Sequence, residues 1–304
     1  MKIIFAGTTE FGIPTLEKLK AQHELVLVIT QPDKPSGRKQ ALTPPTIKIW
    51  AEKNHIQIAQ SENITNLKSQ ISILQPDLLL VAAYGQIIPG EILQIPKFKS
   101  INIHGSLLPK YRGASPIQAV ILNLEPTTGI TLIKMDEKMD HGPIIAKSEI
   151  SLNGTETYSE LYQKLSVLAA DLVVQTLPSW FAGSLKPTEQ SHERATFTKL
   201  IKRADAKIDW SLSAKQIDAN IRALNPEPGT WTNLDGKAVK ILKASILKEH
   251  KIELPGKIYS TAGQLVVKTL NNSLLIEQIQ PDGKPVMSGK DFLNGLKSNN
   301  KLFI

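Results

Sequence analysis

Five short apolar runs in the first 104 residues constrain the chain more than any other feature. They span residues 2–6, 24–30, 56–59, 77–82 and 100–104. Helix-like stretches near residues 14–20, 46–54 and 63–74 separate several of them. Successive strands that each return through a helix run parallel, because the crossover carries the chain back to the end of the sheet where it began. Residues 24–30 and 78–82 are almost continuously apolar rather than alternating, as strands covered on both faces should be. The spacing predicts an α/β fold, a Rossmann-like, mostly parallel sheet with helices on both faces. Residues 131–134 and 143–150 read as two further strands. Residues 158–181 read as a long helix with Leu161, Leu165, Leu168, Leu172 and Val173 on one face.

Open sheets of this kind bind ligands beyond the carboxyl ends of their strands. The first such turn, A-G-T-T-E-F-G, lacks the spaced glycines of G-x-G-x-x-G. A pyrophosphate could not approach its backbone in the usual way, so a dinucleotide-binding dehydrogenase is disfavoured. Phe11 in this turn either lines a pocket or staples the start of the helix. The fifth run offers more. Asn102 and His104 lie two residues apart and so share one face of a strand, with Ile101 and Ile103 on the other. Gly105 ends the strand, and Pro109, Gly113 and Pro116 predict an irregular segment after it. Taken alone, such a pair more often caps a strand and bonds to loop backbone than forms a site.

Residues 31–45 (Q-P-D-K-P-S-G-R-K-Q-A-L-T-P-P) form a connection much longer than a strand-to-helix turn requires. Lys34, Arg38 and Lys39 face a single acid, Asp33, and suit a phosphate backbone. Residues 183–203 show weak periodicity and read as a linker. Beyond them the style changes to short strands at 237–242, 256–260, 265–269 and 273–280, with Gly- and Asn-rich turns between, as in a small OB-like β-barrel. The chain therefore divides into residues 1–187, a linker at 188–205, and a barrel at 206–304. Charge follows the same division. The net charge is +8, and residues 201–304 hold 16 Lys and Arg against 10 Asp and Glu, whereas residues 1–200 hold 20 against 18. A basic small barrel suits a nucleic acid, although a solvated lysine-rich surface has the same composition.

There is no cysteine, which removes disulfides, thiol nucleophiles and cysteine-based metal sites. No leader pattern and no apolar run of about 20 residues stands out. The reading is a cytoplasmic protein without membrane attachment.

A third polar group can join Asn102 and His104. Asp140 lies in the turn M-D-E-K-M-D-H-G-P between two expected strands. Asp136 competes for the same role, and His141 reads as a surface turn residue. An amide can donate to an oxygen that gains charge, an imidazole can move a proton near neutral pH, and a carboxylate can support that imidazole. No Ser or Cys nucleophile joins the set. The chemistry it favours is direct transfer of an acyl-type group to an amine, with no metal.

The stretch I-N-I-H-G-S-L-L-P-K-Y-R-G-A-S-P-I-Q and the later G-I-T-L-I-K-M-D-E-K-M-D-H-G-P-I-I resemble the folate-dependent formyltransferases. The N-terminal A-G-T-T-E-F-G, the Q-P-D-K-P-S-G-R-K loop, D-W-S at 209–211 and R-A-L-N-P-E-P-G-T-W extend the resemblance over essentially the whole chain. It implies catalysis by Asn102, His104 and Asp140. It implies folate contacts from Ser106, Leu107, Leu108 and Pro109. It also implies a pterin-lining loop at residues 83–89, with Tyr84, Gly85, Gln86 and Ile87 contributing largely backbone groups. Lys34, Arg38 and Lys39 would contact tRNA, and Phe11 would line a methionine pocket. The implied donor is 10-formyltetrahydrofolate, and the implied acceptor is the α-amino group of methionine on initiator tRNA, handled by a monomer. A relative acting on an amino sugar nucleotide keeps the same motif, and a non-catalytic RNA-binding relative is the other alternative.

Overall fold

The computed structural model describes residues 1–36, 40–248, 253–296 and 301–304. They form two compact units. The first comprises residues 1–116, 127–151 and 160–199, and the second residues 117–126, 152–159 and 200–304.

The first unit is built on a seven-stranded sheet. Its order is Ile144–Ser151, Thr127–Lys134, Ser100–His104, Leu78–Ala82, Lys2–Gly7, Glu24–Thr30 and Ile58–Gln60. The last five strands are mutually parallel. The first two join antiparallel, so the sheet reverses direction beside Ser100–His104. Ile3, Ile4, Phe5, Leu78, Leu79 and Leu80 are all fully buried. Consecutive burial of this kind needs cover on both faces, which is why these strands read as unbroken apolar runs. Ile4, Ala6, Leu27, Ile29, Leu79 and Val81 share one core with Ile64, Ile71 and Ile92. The long helix spans Tyr158–Phe181 and buries Leu161, Leu165, Ala169, Leu172 and Val173, with Leu168 only half-buried.

Two local expectations are corrected. Pro116 does not prolong an irregular loop; it is the first residue of the helix Pro116–Leu122. Proline is tolerated there because the first-turn N–H has no helical partner to lose. The 31–45 connection is not a plain loop either. Lys34–Ser36 pairs antiparallel with Ala41–Thr43. Asp33 anchors its base, taking bonds from Lys48 Nζ at 2.9 Å and Gln60 Nε2 at 2.8 Å.

The second unit is a curled antiparallel sheet in the order Trp231–Leu234, Lys237–Leu247, Ser273–Pro281, Gln264–Lys268 and Ile258–Thr261, with Met287–Ser288 beside Ser273–Pro281. Trp231–Leu234 escaped the sequence reading because it is short and starts just after a proline-rich turn. Residues 301–304 bond to both edges of the sheet. Ile304 exchanges two hydrogen bonds with Asn233, Ile258 N donates to Lys301 O at 3.0 Å, and Phe303 N donates to Gly256 O at 2.9 Å. Phe303 is 2% exposed and stacks on Trp210 inside this unit's core. Among the described residues no helix is long and apolar enough to cross a membrane.

Candidate active site

The sheet's change of direction builds the site. Val81 and Asn102 are parallel partners, while Asn102 faces Ile133 and His104 faces Thr131 across the antiparallel side. The turn that follows Thr127–Lys134 starts beside the amino end of Ser100–His104, where Met135 N donates to Ser100 O at 2.9 Å, and delivers Asp140 to Asn102 and His104. The Asp140 backbone is left-handed at φ 48°, an unusual state for a residue with a side chain.

Asp140 Oδ1 takes a hydrogen bond from Asn102 Nδ2 at 3.1 Å and lies 3.5 Å from His104 Nδ1. Its Oδ2 accepts from Gly113 N at 2.8 Å. The His104 and Asp140 side chains are only 5% and 12% exposed. Burial works to raise the Asp140 pKa, but the charge and hydrogen bond that His104 offers once protonated, the Gly113 N–H and the nearby Arg112 outweigh it. The carboxyl is held below its ordinary range.

His104 Nε2 faces the Tyr111 carbonyl at 2.9 Å. A carbonyl can only accept, so the proton of the neutral ring sits on Nε2. Nδ1, beside Asp140, is left to exchange a proton. Tyr111 is itself left-handed, at φ 63°, and its N–H is tied to Thr196 Oγ1 at 2.8 Å. Asp136, the rival carboxylate, pairs instead with His141 Nδ1 at 2.6 Å. His141 is not a free surface residue: it is half-buried and stacks on His192 with ring centroids 4.1 Å apart.

The loop after His104 is pinned from inside. Thr131 Oγ1 donates to Ser106 O at 2.6 Å and accepts from Leu108 N at 3.1 Å, and Ser106 Oγ donates to Lys110 O at 2.7 Å. Lys147 Nζ donates to Leu108 O, and burial pushes its ammonium pKa down. The 83–89 loop leaves the neighbouring strand at the same end. Tyr84 is 2% exposed, belongs to the core, and has its phenol pushed up to about 12 by burial. Its carbonyl accepts from Thr8 Oγ1 and Gln31 Nε2. Gln86 is tied down by Ser61 O and Ile64 N. Gly85 takes the left-handed turn at φ 84°, and Ile87 is exposed.

Phe11 is 4% exposed, edge-on to Tyr162 at 5.3 Å, and its N–H donates to the Tyr162 hydroxyl. Lys34 is exposed. Arg38 and Lys39 lie outside the described residues. Among the described residues no group of three or more His, Asp or Glu is arranged to hold a metal ion.

Sequence reasoning missed Tyr111, Arg112, Gln190 and Thr196. Phe197–Thr198 pairs with Arg112–Gly113, and Thr188 pairs with Ile144. The stretch that reads as a linker thus supplies one wall of the site. Tyr111 acts through its carbonyl, which leaves no mark in residue identity. Gly113 left a signal: at φ 108°, a Cβ there would meet Thr198 O at 2.3 Å.

Comparison with known proteins gives a consistent result. Residues 1–177 match the model of the family described as formyl transferase, and residues 200–297 match that of the formyl transferase C-terminal domain. A methionyl-tRNA formyltransferase of Hydrogenobaculum is 41% identical over 304 residues, covering 100% of each chain. One of Bacillus subtilis is 39% identical over 97% of this chain and 94% of its own. Among solved structures, an N-formyltransferase from Helicobacter canadensis with folinic acid and dTDP-3-aminofucose superposes with a TM-score of 0.69 at 19% identity, covering 92% of this chain and 99% of its own. HypX from Aquifex aeolicus does so at 0.69 and 17% identity, over 97% of this chain and 49% of its own. At such identities the likeness is one of fold.

Proposed function

The chain belongs to the formyl transferase family, and from this premise we propose how its polar cluster works. The protein transfers a formyl group from a folate donor to the α-amino group of methionyl-tRNA. In our reading the donor is 10-formyltetrahydrofolate and the tRNA is the initiator. The loops at residues 83–89 and 105–109 leave adjacent parallel strands at their carboxyl ends, where an open sheet receives a ligand. They would hold the folate, largely through backbone groups.

The acceptor amine, with a pKa near roughly 7.7–8, is readily neutral at cellular pH. Its lone pair forms a bond to the formyl carbon while the carbonyl electrons move to oxygen. Asn102 keeps one amide hydrogen on Asp140 and has a second for that oxyanion. His104 Nδ1 takes the amine proton, and Asp140 Oδ1 stabilises the imidazolium. As the bond from carbon to the folate nitrogen breaks, the proton passes to that nitrogen. Tetrahydrofolate and the formylated aminoacyl ester remain. Phe11 would border the methionine side chain. Lys34, Arg38, Lys39 and the basic second unit would hold the tRNA. We place the reaction in the cytoplasm, on a monomer.

The observation that carries this reading is the single carboxylate oxygen that Asn102 and His104 share. The test is His104→Ala assayed with 10-formyltetrahydrofolate and methionyl-tRNA, with a sugar-nucleotide amine as control acceptor. Formyl transfer is expected to disappear while circular dichroism stays native. Near-normal turnover would remove His104 from the mechanism, and preference for the sugar amine would overturn the acceptor.

A further inference from the structure

Arg112 brings a charge into an almost closed environment: it is 3% exposed. Its guanidinium meets an amide and an imidazole. Nε and Nη2 donate to Gln190 Oε1 at 3.1 and 2.7 Å, and Nη2 also lies 2.8 Å from His192 Nδ1. A guanidinium can only donate. The Gln190 oxygen must therefore face Arg112, and its NH2 group must face the other way. There it donates to Asp140 O at 2.9 Å and Gly142 O at 2.7 Å. Turning the amide over would set donors against donors at one end and an oxygen against two carbonyls at the other. Gln190 itself is 4% exposed. Gly142 is pinned as well, since a Cβ there would meet Lys134 O at 1.9 Å. Asp140 sits in this turn with left-handed backbone, a state that persists where surrounding contacts enforce it.

We infer that Gln190 is a positioning residue for formyl transfer: oriented by Arg112, its amide holds the Asp140–Gly142 turn so that the Asp140 carboxylate stays on His104 and Asn102. The inference rests on the role given to Asp140 above. Gln190 touches neither substrate nor reacting atoms in this scheme; it acts through the main chain of the residue that does.

The test compares wild type, Gln190→Glu, Asp140→Asn and the double variant, using the full chain, 10-formyltetrahydrofolate and methionyl-tRNA. The glutamate keeps a partner for Arg112 but turns an oxygen toward the two carbonyls. In Gln190→Glu, kcat is expected to fall roughly 10- to 100-fold while KM for donor and tRNA each stay within about threefold. In the Asp140→Asn background the same change should remove less than about a further twofold, because residues acting as one unit are not additive. Gln190→Met, of similar length and without polar ends, should repeat the pattern and replaces the glutamate variant if that one does not fold. A kcat within threefold of wild type overturns the inference. So do losses that multiply in the double variant, or unfolding of both Gln190 variants. A folded wild type that transfers no formyl group would instead overturn the functional reading beneath it.

Discussion

Replacing Asp140 by asparagine keeps the shape of the side chain and removes its charge. Its Oδ1 lies 3.5 Å from His104 Nδ1, with both side chains largely buried. Two unit charges at that separation and an effective dielectric of about 20 interact by roughly 4–5 kcal/mol. A transition state that has moved the amine proton fully onto His104 draws on all of this, and one with the proton half transferred on about half. The barrier should rise by about 2–4.5 kcal/mol, roughly 30- to 2,000-fold in the chemical rate. The amide also misfits. Both carboxylate oxygens accept, from Asn102 Nδ2 and from Gly113 N, and an amide can accept at only one end. One donor then faces another, at a cost of about 1–3 kcal/mol in stability. The assay is single-turnover formylation with enzyme in excess over methionyl-tRNA, which isolates the chemical step, alongside urea denaturation. A rate loss below tenfold would refute the electrostatic role. A loss confined to KM would make Asp140 a binding group.

Three further outcomes are expected. Asp140 has a folded pKa below its unfolded value of roughly 3.9, so its contribution to stability is complete above about pH 5 and is lost as pH falls through the lower folded value. The stability difference between wild type and Asp140→Asn, from urea midpoints, should be constant at pH 5–7 and shrink below about pH 4; a difference unchanged on acidification would contradict this. Gly113→Ala must place a Cβ 2.3 Å from Thr198 O at φ 108°, so it should lose about 2–4 kcal/mol of stability and most formyl transfer, and a native melting curve would count against the geometry. Tyr84→Phe removes a buried hydroxyl that has no hydrogen-bond partner among the described residues, so stability should rise by about 1 kcal/mol with donor KM unchanged, and a lower melting temperature would show that the phenol has a use.

Much of the first unit was legible because it is repetitive physics. Strands buried on both faces must be apolar throughout, and Ile3–Phe5 and Leu78–Leu80 carry that mark. Asn102 and His104 were legible because a period of two fixes their common face. The choice of Asp140 over Asp136 was not, since it turns on which carboxylate the turn aims inward and which one His141 holds. Gln190 and Thr196 stayed hidden for another reason. Their stretch has neither a period of two nor of 3.6 residues, because apart from one short turn at His192–Arg194 it is held by bonds to a distant loop. Tyr111 was invisible in principle, since any residue has a carbonyl.

The wall that residues 188–198 add to the site has a consequence for the order in which the protein becomes competent. A chain emerges from the ribosome N-terminus first, at roughly 5–20 residues per second. Asn102, His104 and Asp140 all leave before Gln190, which follows Asp140 by 50 positions. The delay is about 3–10 s at those speeds. Until then the Tyr111 N–H has no Thr196 to bind, and the Asp140 turn lacks its amide anchor. Contacts so far apart along the sequence form only after a long segment has been closed. An unfinished chain thus carries the polar side chains of the candidate site without their alignment until the segment after the long helix has docked.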